Sequence, residues 1–405
     1  MPNDRSDRCF GDCAILVRST VRPEQCLGRR YVALEHIEEG TLRLLDVGVG
    51  EEVTSAKAEF RAGDILFGKL RPYFRKVVRP RFDGVCSTDI WVVRAANGTD
   101  QGYLYYWMAS KEFVEAATRG STGTKMPRAD WDFVSRLTLP VPPLPTQRRI
   151  AAILGSLDDK IELNRRMNRT LEKMAAAIFN SWFIVFDPVR AKAEGRDPGL
   201  PAEIADLFPD GFEDSALGPI PKGWDVSKFG DLIELAYGKS LRAQDRRPGQ
   251  VAVYGSNGQV GWHDTALVTG PGIVVGRKGN PGIVTWAPSE FFPIDTTFYV
   301  VPTGPVRSLY FLYHALKNHD LASLGADSAV PGLNRNMVYL SQQVVPPSDL
   351  VTAFDSFVKP LCDRTCLCEC QNRRLAGLCD TLLPKLLSGE IELPAAGTVT
   401  EEVGS

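Results

Sequence analysis

The chain has 405 residues, of which 44% are hydrophobic and 24% charged, values typical of a folded globular protein. A chain of this length is too long for one ordinary core, so we expect two or more domains. No apolar run approaches the length of a membrane span and no signal-like segment follows the N-terminus, so we expect a cytoplasmic protein without a membrane partner. The formal net charge is −2, which means that any nucleic-acid surface has to be a local basic patch.

The nine cysteines are an odd number and form no disulfide framework, which favours a reducing compartment. Four of them cluster at Cys362, Cys366, Cys368 and Cys370. A zinc site needs four tetrahedral ligands, and on a helix Cys368 points away from the stripe formed by the other three. We therefore interpret the cluster as free thiols on a helix rather than as a metal site.

One stretch of the first half is strongly basic. Between Asp64 and Asp83 there are six basic residues and no acidic one, with aromatic residues interleaved, and such a stretch can face phosphates. A solvated pair of amphipathic strands explains the same pattern equally well. The basic residues are Lys69, Arg71, Arg75, Lys76, Arg79 and Arg81.

A divergent internal repeat organises the chain. Pro127 and Pro331 are 204 residues apart, the pairs at 142–143 and 346–347 keep that spacing, and Gly120 lies 205 residues before Gly325. Further upstream, residues 63–69 resemble residues 272–278. Each half therefore has a globular segment rich in β-branched and aromatic residues, then a double proline, then a helical segment.

The helical segments carry a heptad pattern, with apolar residues in alternating steps of four and three over more than four heptads. The positions in the first half are Ile150, Leu154, Leu157, Ile161, Asn164, Asn168, Leu171, Ala175, Ile178 and Trp182. Adding 204 gives Phe354, Val358, Leu361, Thr365, Cys368, Asn372, Leu375, Cys379, Leu382 and Leu386. The strict period predicts helix-on-helix pairing, with Asn168 and Asn372 fixing the register; packing of each helix on its own domain is the alternative.

The ends of these helices follow from proline and glycine. We predict the first helix from about Thr146 to Trp182. Because an interior proline removes a hydrogen bond, we expect the regular part of the second helix to start near Pro360 and to end at Ser388-Gly389.

Two glycine motifs imitate cofactor sites. Asp46-Val47-Gly48-Val49-Gly50 lacks the third glycine of a methyltransferase cofactor loop, and no amino-methyltransferase motif occurs in the chain. Gly238-Lys239-Ser240 lacks the first glycine of a P-loop, where Ile233 stands instead. The four histidines show neither metal-ligand nor triad spacing. We therefore expect no catalytic residue and no metal site in this chain.

The connecting segments resemble those of the specificity (S) subunits of type I restriction–modification enzymes. The resemblance rests on residues 139–154, on Ser181-Trp182-Phe183, on residues 191–196 followed by 218–224, and on residues 382–391. In the first half, residues 31–37 and 68–73 also match. The second half begins with Gly223-Trp224, whereas the first half has no Trp near its start.

The resemblance implies an α+β fold with an internal pseudo-two-fold repeat. Two globular target-recognition domains, each a mixed β-sheet with helices, are joined by two long antiparallel coiled-coil helices. The expected segments are a first recognition domain at 1–145, a first helical spacer at 146–186, a linker at 187–222, a second recognition domain at 223–347, a second helical spacer at 348–390 and a disordered tail at 391–405.

The resemblance also implies a non-catalytic subunit that binds an asymmetric, bipartite target in double-stranded DNA. The implied protein partners are two methyltransferase (M) subunits and the restriction (R) subunits, which act as motor and nuclease. No cofactor is implied for this chain; S-adenosylmethionine, ATP and Mg²⁺ belong to the partners.

Loops that combine glycine-permitted turns with basic or amide side chains are our candidate DNA contacts, because Lys and Arg bind phosphates and Arg, Asn and Gln read base edges. In the first half they are Lys69, Arg71, Tyr73, Ser121, Thr122 and Lys125. In the second half they are Arg277, Lys278, Asn280, Asn334 and Arg335.

Two other classes of function remain as alternatives. A monomeric adenine methyltransferase, or a nuclease–methyltransferase fragment, would need a cofactor loop and an amino-methyltransferase motif. A coiled-coil adaptor with lectin-like globular ends is disfavoured by the basic run, and salt-dependent DNA binding would separate it from the resemblance.

Overall fold

The computed structural model describes residues 5–324 and 332–393 of the chain. These fold into two compact units, the first within Met1–Leu163 and Gln371–Ser405 and the second within Asn164–Cys370. Gly325 and Pro331 of the sequence repeat lie outside the described residues, as does the predicted tail from residue 394 onward.

The first unit is built on a four-stranded antiparallel sheet in the order β2-β10-β7-β8. A five-stranded sheet, in the order β3-β6-β9-β4-β5, contains one parallel pair, β4 with β9. A separate antiparallel pair joins β1 to β11. The strands are β1 Ser6–Cys9, β2 Ala14–Val17, β3 Thr20–Val21, β4 Arg30–Val32, β5 Gly48–Val49, β6 Lys57–Phe60, β7 Ile65–Gly68, β8 Val77–Val78, β9 Gly84–Cys86, β10 Ile90–Ala95 and β11 Thr138–Val141.

The helices of the first unit cover one face of the four-stranded sheet and complete its core. Phe10, Phe67 and Phe113 are fully buried there, and Leu154 and Leu386 from the long helices belong to the same apolar cluster. The helices are α1 Phe10–Cys13, α2 Gln101–Met108, α3 Lys111–Arg119, α4 Trp131–Val134 and the long α5 Leu144–Phe183.

The second unit repeats this plan. Its four-stranded antiparallel sheet has the order β15-β21-β18-β19, a three-stranded sheet contains the parallel pair β16 and β20, and β14 pairs with β22. The elements are α6 Asp187–Ala193, α7 Ala202–Ala205, β12 Phe212–Ser215, β13 Gly218–Pro221, β14 Asp225–Lys228, α8 Phe229–Leu232, β15 Ile233–Tyr237, β16 Val251–Gly255, β17 Gly258–His263, β18 Gly272–Gly276, β19 Val284–Ala287, β20 Phe291–Pro293, β21 Thr297–Pro302, α9 Leu309–Asn318, α10 Arg335–Leu340, β22 Gln342–Val345 and the long α11 Ser348–Ser388.

The start of each unit reveals a further part of the repeat. β1 leads into Phe10-Gly11-Asp12 of α1, and β14 leads into Phe229-Gly230-Asp231 of α8. Both phenylalanines are fully buried, and both helices lead directly into the first strand of a four-stranded sheet. The first unit therefore has the same initial strand and turn as the second, although it lacks a residue equivalent to Trp224.

Helices α5 and α11 have 40 and 41 residues and pair antiparallel, as predicted. In the second unit the Asn168 side-chain amide donates to the Thr365 carbonyl at 3.4 Å. Phe179 lies eleven residues after Asn168 in α5, and Phe354 lies eleven residues before Thr365 in α11. The centres of their two rings are 5.8 Å apart, as antiparallel pairing of the helices requires. The predicted seam is buried at Ala175, Trp182, Phe354, Val358 and Cys368.

The prediction that α11 begins near Pro360 is wrong. The helix starts at Ser348 and continues through both Pro360 and Pro384. Phe354 and Val358, both fully buried, lie before Pro360 in the helix. Burial of this first part of the seam stabilises the helix by more than the one hydrogen bond that an exposed Pro360 removes.

The segment 187–222, predicted to be a linker, contains helices α6 and α7 and the hairpin of β12 and β13. Val189 and Phe208 of this segment are buried in the core of the second unit, so its apolar residues are fixed by packing that sequence periodicity does not display. Among the described helices, none is both long and apolar enough to cross a membrane.

Candidate nucleic-acid interface

In the first unit, the loop after β7 and the segment before α4 are joined into one surface. The Lys69 amide donates to the Asp89 carbonyl at 2.9 Å, and the Ala129 amide donates to the Lys69 carbonyl at 2.9 Å. Thr122 and Arg128 exchange two backbone hydrogen bonds. The structure therefore brings the two predicted stretches of this half, 69–73 and 121–125, onto one backbone frame.

Arg71 has a left-handed backbone, with φ 51°, and so does Arg75, with φ 50°. The Arg71 amide donates to the Pro127 carbonyl at 2.7 Å, which fixes this turn against the segment before α4. Its Nε is buried and has no hydrogen-bond partner within the described residues. Non-glycine residues are uncommon in this conformation, so the two arginines mark a constrained turn around Pro72–Phe74.

Most of the basic run makes contacts within the protein itself. Four of its six side chains have partners inside the first unit: Arg75 with the Ala109 carbonyl and Asp380, Lys76 with the Leu34 carbonyl, Arg79 with the Tyr105 ring, and Arg81 with Asp159. Lys69 and Arg71 are the two that these contacts leave for a ligand.

The remaining predicted residues of the first unit differ in their surroundings. Tyr73 is half exposed and packs on Phe74, beside an open groove lined by α3. The Ser121 hydroxyl donates to the Ala117 carbonyl at 2.8 Å, whereas Thr122 and Lys125 are exposed. Lys125 is therefore an exposed cation of this loop.

The second unit places its predicted residues on the same frame. The Arg277 amide donates to the Thr296 carbonyl at 2.9 Å, and the Leu333 amide donates to the Arg277 carbonyl at 2.9 Å. These bonds occupy the positions of those made by Lys69 in the first unit, and the bridge between Lys278 and Gly332 corresponds to the one between Leu70 and Arg128.

Aromatic rings surround the two arginines of this surface. The guanidinium carbon of Arg277 lies 5.0 Å from the centre of the Tyr237 ring and 5.8 Å from that of Phe298. The guanidinium of Arg335 lies 5.2 Å from Tyr237 and 5.7 Å from Tyr339. Tyr237, which is 52% exposed, thus contacts both cations.

The predicted amides have partners of their own. Asn334 is the N-cap of α10, its Oδ1 accepting from the Asn336 amide at 3.0 Å. Asp130 caps α4 at the equivalent place in the first unit. The Asn280 side chain donates to that of Asn257. For Asn334, the cap leaves only the NH₂ group for a ligand.

Sequence reasoning did not identify Tyr237, Asp89 or Arg128. Arg128 forms an ion pair with Asp89 at 2.9 Å, and this hydrogen bond raises the pKa of the guanidinium. Tyr237 immediately precedes Gly238-Lys239-Ser240, and the aromatic residue before that motif was the available signal.

The glycine motifs form no cofactor loop. Gly48–Val49 is a short strand, and Gly50–Glu52 forms a single 3₁₀ turn. Gly238-Lys239-Ser240 follows β15 without opening an α-helix. Within residues 5–324 and 332–393, no group of three or more His, Cys, Asp or Glu side chains is arranged to hold a metal ion, and all nine cysteines are free.

Comparison with known proteins agrees with this geometry. Residues 38–173 match the family model of the type I restriction modification DNA specificity domain. The chain is 28% identical over 414 residues to the type I restriction enzyme HindI specificity subunit of Haemophilus influenzae, covering 83% of this chain and 88% of that protein. It is 32% identical over 179 residues to the EcoDI specificity subunit of Escherichia coli, covering 43% and 39%.

The fold is also found among solved structures. The S subunit of a type I restriction–modification system from M. genitalium aligns with a TM-score of 0.56 at 16% identity, over 97% of this chain and 98% of that one. The likeness is one of fold, since both units have a four-stranded sheet and two long helices run through the chain. By sequence, the chain is similar over most of its length to a type I restriction enzyme specificity subunit, and residues 38–173 match the type I restriction modification DNA specificity domain.

Proposed function

We propose that this chain is the sequence-recognition subunit of a type I restriction–modification complex, without a catalytic centre of its own, and that it binds an asymmetric, bipartite DNA target. The observation that carries the proposal is the repeated backbone frame. Lys69 in one unit and Arg277 in the other make the same two backbone hydrogen bonds, yet the side chains around them differ. One frame with two sets of side chains suits two different half-sites.

The residues that we assign to the DNA divide by chemistry. Exposed cations such as Lys125 and Lys278 bind phosphates, which orients the protein without reading sequence. Arg277 and Arg335 have the planar donor arrangement that reads base edges. The full set is Lys69, Arg71, Tyr73, Ser121, Thr122 and Lys125 in the first unit, and Arg277, Lys278, Asn280, Asn334 and Arg335 in the second.

The long helices serve two purposes in this proposal. As a rigid connector, α5 and α11 set the separation of the half-sites, which DNA geometry requires to be near one turn of about 34 Å. Two methyltransferase subunits and the restriction subunits assemble with this chain in the cytoplasm and supply the S-adenosylmethionine, ATP and Mg²⁺ chemistry. The domain boundaries stay those predicted from sequence, 1–145 and 223–347 for the two readers.

Selection from a library of randomised duplex DNA tests the proposal. The full-length chain, at low salt so that phosphate contacts assist binding, is expected to enrich two short, different sequences separated by a spacer of fixed length. Enrichment of no sequence, or of one palindrome, would contradict it. Methyl transfer from S-adenosylmethionine by the chain alone, abolished by Asp46→Ala, would support the methyltransferase alternative instead.

A further inference from the structure

The Arg277, Tyr237 and Arg335 side chains form one stacked group on the second unit. Tyr237 ends β15 and pairs in register with Phe298 of β21, and their ring centres are 5.0 Å apart. Phe298 is almost fully buried, so Tyr237 is fixed on a rigid base. The backbone of Arg277 is fixed on both sides, through its amide and its carbonyl.

Neither guanidinium of this group has a carboxylate partner in the part of the chain that the structure describes. A guanidinium that lies over an aromatic ring keeps its in-plane N–H donors available. Holding the planar group on a ring also reduces the side-chain entropy that is lost when a ligand binds. The two arginines are therefore preorganised donors, unlike the exposed Lys278.

The first unit has different side chains at the corresponding positions. By the same sheet register, Arg18 stands where Tyr237 stands, and Lys69 stands in place of Arg277. Trp131, the first residue of α4, corresponds to Arg335, the first residue of α10. Trp131 packs against Trp91 at 5.3 Å, so no pair of stacked arginines forms there.

We infer that Arg277 and Arg335 read guanine in the half-site bound by the second unit, with Tyr237 as the positioning residue that holds both side chains. The inference rests on the proposed function, since it presumes a DNA ligand. The planar fork of Arg matches the O6 and N7 acceptors that guanine presents in the major groove, and no other base presents two acceptors there in that arrangement.

The test is the same library selection, with variants that separate base reading from charge. Arg277→Lys and Arg335→Lys keep the charge but lose the planar fork. Each is expected to reduce the preference for guanine at one position of one half-site by roughly 5- to 150-fold, while the other half-site is unchanged. Lys228→Ala, which removes an exposed cation of β14, is the matched control and leaves both half-sites unchanged.

Variants of Tyr237 test the positioning role. Tyr237→Phe keeps the ring and is expected to retain the guanine preference, whereas Tyr237→Ala loses it at both arginine-dependent positions. Thermal unfolding of each variant distinguishes lost recognition from lost folding. If Tyr237→Ala folds and selects the wild-type sequence, the positioning role is wrong.

The failure of this inference differs from failure of the proposed function. A wild-type chain that selects no bipartite sequence overturns the proposed function. A wild-type chain that selects one, combined with arginine variants that weaken binding equally for every sequence, overturns only the guanine assignment, because the arginines then contact phosphates.

Discussion

Arg128 and Asp89 form an ion pair at 2.9 Å that connects the two loops of the candidate DNA surface on the first unit. The backbone of Arg128 pairs with Thr122, and the carbonyl of Asp89 accepts from the Lys69 amide. An acidic side chain thus lies within a surface assigned to DNA. Because it connects the two loops, we infer that it orders them rather than repels the ligand.

Asp89→Asn tests this role. Removal of a negative charge would by itself strengthen DNA binding, whereas loss of the ion pair loosens both loops. We expect weaker sequence discrimination at the first half-site, with stability changed by less than about 1 kcal/mol because the pair is on the surface. The ratio of the affinity for a specific duplex to the affinity for a random duplex measures this discrimination. A higher ratio for Asp89→Asn than for the wild type would contradict the ordering role.

Arg71 and Arg75 form a matched pair, since they share a turn and a left-handed backbone. Arg71→Ala is expected to weaken DNA binding and to reduce the slope of log affinity against log salt by about 1. Arg75→Ala removes contacts with the Ala109 carbonyl and Asp380, so it is expected to lower stability instead. Titrations at several salt concentrations, with urea unfolding of both variants, check the assignment; an unchanged salt slope for Arg71→Ala would place that loop away from DNA.

Sequence reasoning predicted the extent of α5 well, but it placed the start of α11 about twelve residues too late. A heptad pattern is local, so α5 was predicted from Thr146 to Trp182 and extends from Leu144 to Phe183. The role of Tyr237 depends on its register with Phe298, sixty-one residues away, which no local pattern displays. Similarly, the sequence of the basic run does not show which of its six cations have partners within the protein, because the partners of four of them are distant in sequence.

The match between Phe10-Gly11-Asp12 and Phe229-Gly230-Asp231 was missed for a related reason. These motifs are 219 residues apart, whereas the double prolines are 204 apart, so a search at one spacing does not find both. The difference arises within the globular segments, where the first unit has a five-stranded sheet and the second a three-stranded one. Insertions in the globular segments therefore hide a repeat in the sequence that the strand order of the two four-stranded sheets preserves.

Pro360 lies exposed inside α11, where it removes one backbone hydrogen bond. Pro360→Ala is expected to stabilise the second unit by up to about 3 kcal/mol, because alanine restores the bond to the Ser356 carbonyl. Lys359→Ala, which removes only the exposed ion pair with Asp363, is the control and should lower stability by no more than about 0.5 kcal/mol. Urea midpoints measure both, and a destabilised Pro360→Ala would show that the helix needs a kink there.

His314 gives the second unit a predicted acid sensitivity. Burial, aided by Lys317, lowers the pKa of His314 to about 4, and the ring stacks on Phe179 at 5.5 Å. Since the folded pKa is below the unfolded value of about 6.5, the unfolded state binds the proton first and stability falls as the pH drops from about 6.5 towards 4. Between pH 7 and pH 5 the loss from this group is about 2 kcal/mol.

His314→Phe isolates this contribution, because phenylalanine keeps an aromatic ring against Phe179 and does not titrate. Unfolding of wild type and variant at pH 7, 6 and 5 should show a difference that narrows or reverses in the variant's favour as the pH falls. A constant difference across this range would mean that the pKa of His314 is the same in the folded and unfolded states.

In the proposed function, the long helices hold two different target-recognition domains at a fixed spacing on the DNA. Four residues inserted in α5 after Leu163, together with four in α11 after Cys370, lengthen the pair by about 6 Å and add about 40° of rotation, and a four-residue insertion is tolerated in a coiled coil. DNA rises about 3.4 Å per base pair. Library selection with this variant should therefore yield the same two half-sites, separated by about 1–2 more unspecified base pairs. Changed half-site sequences with an unchanged spacer would contradict the claim and place the recognition determinants on the helices.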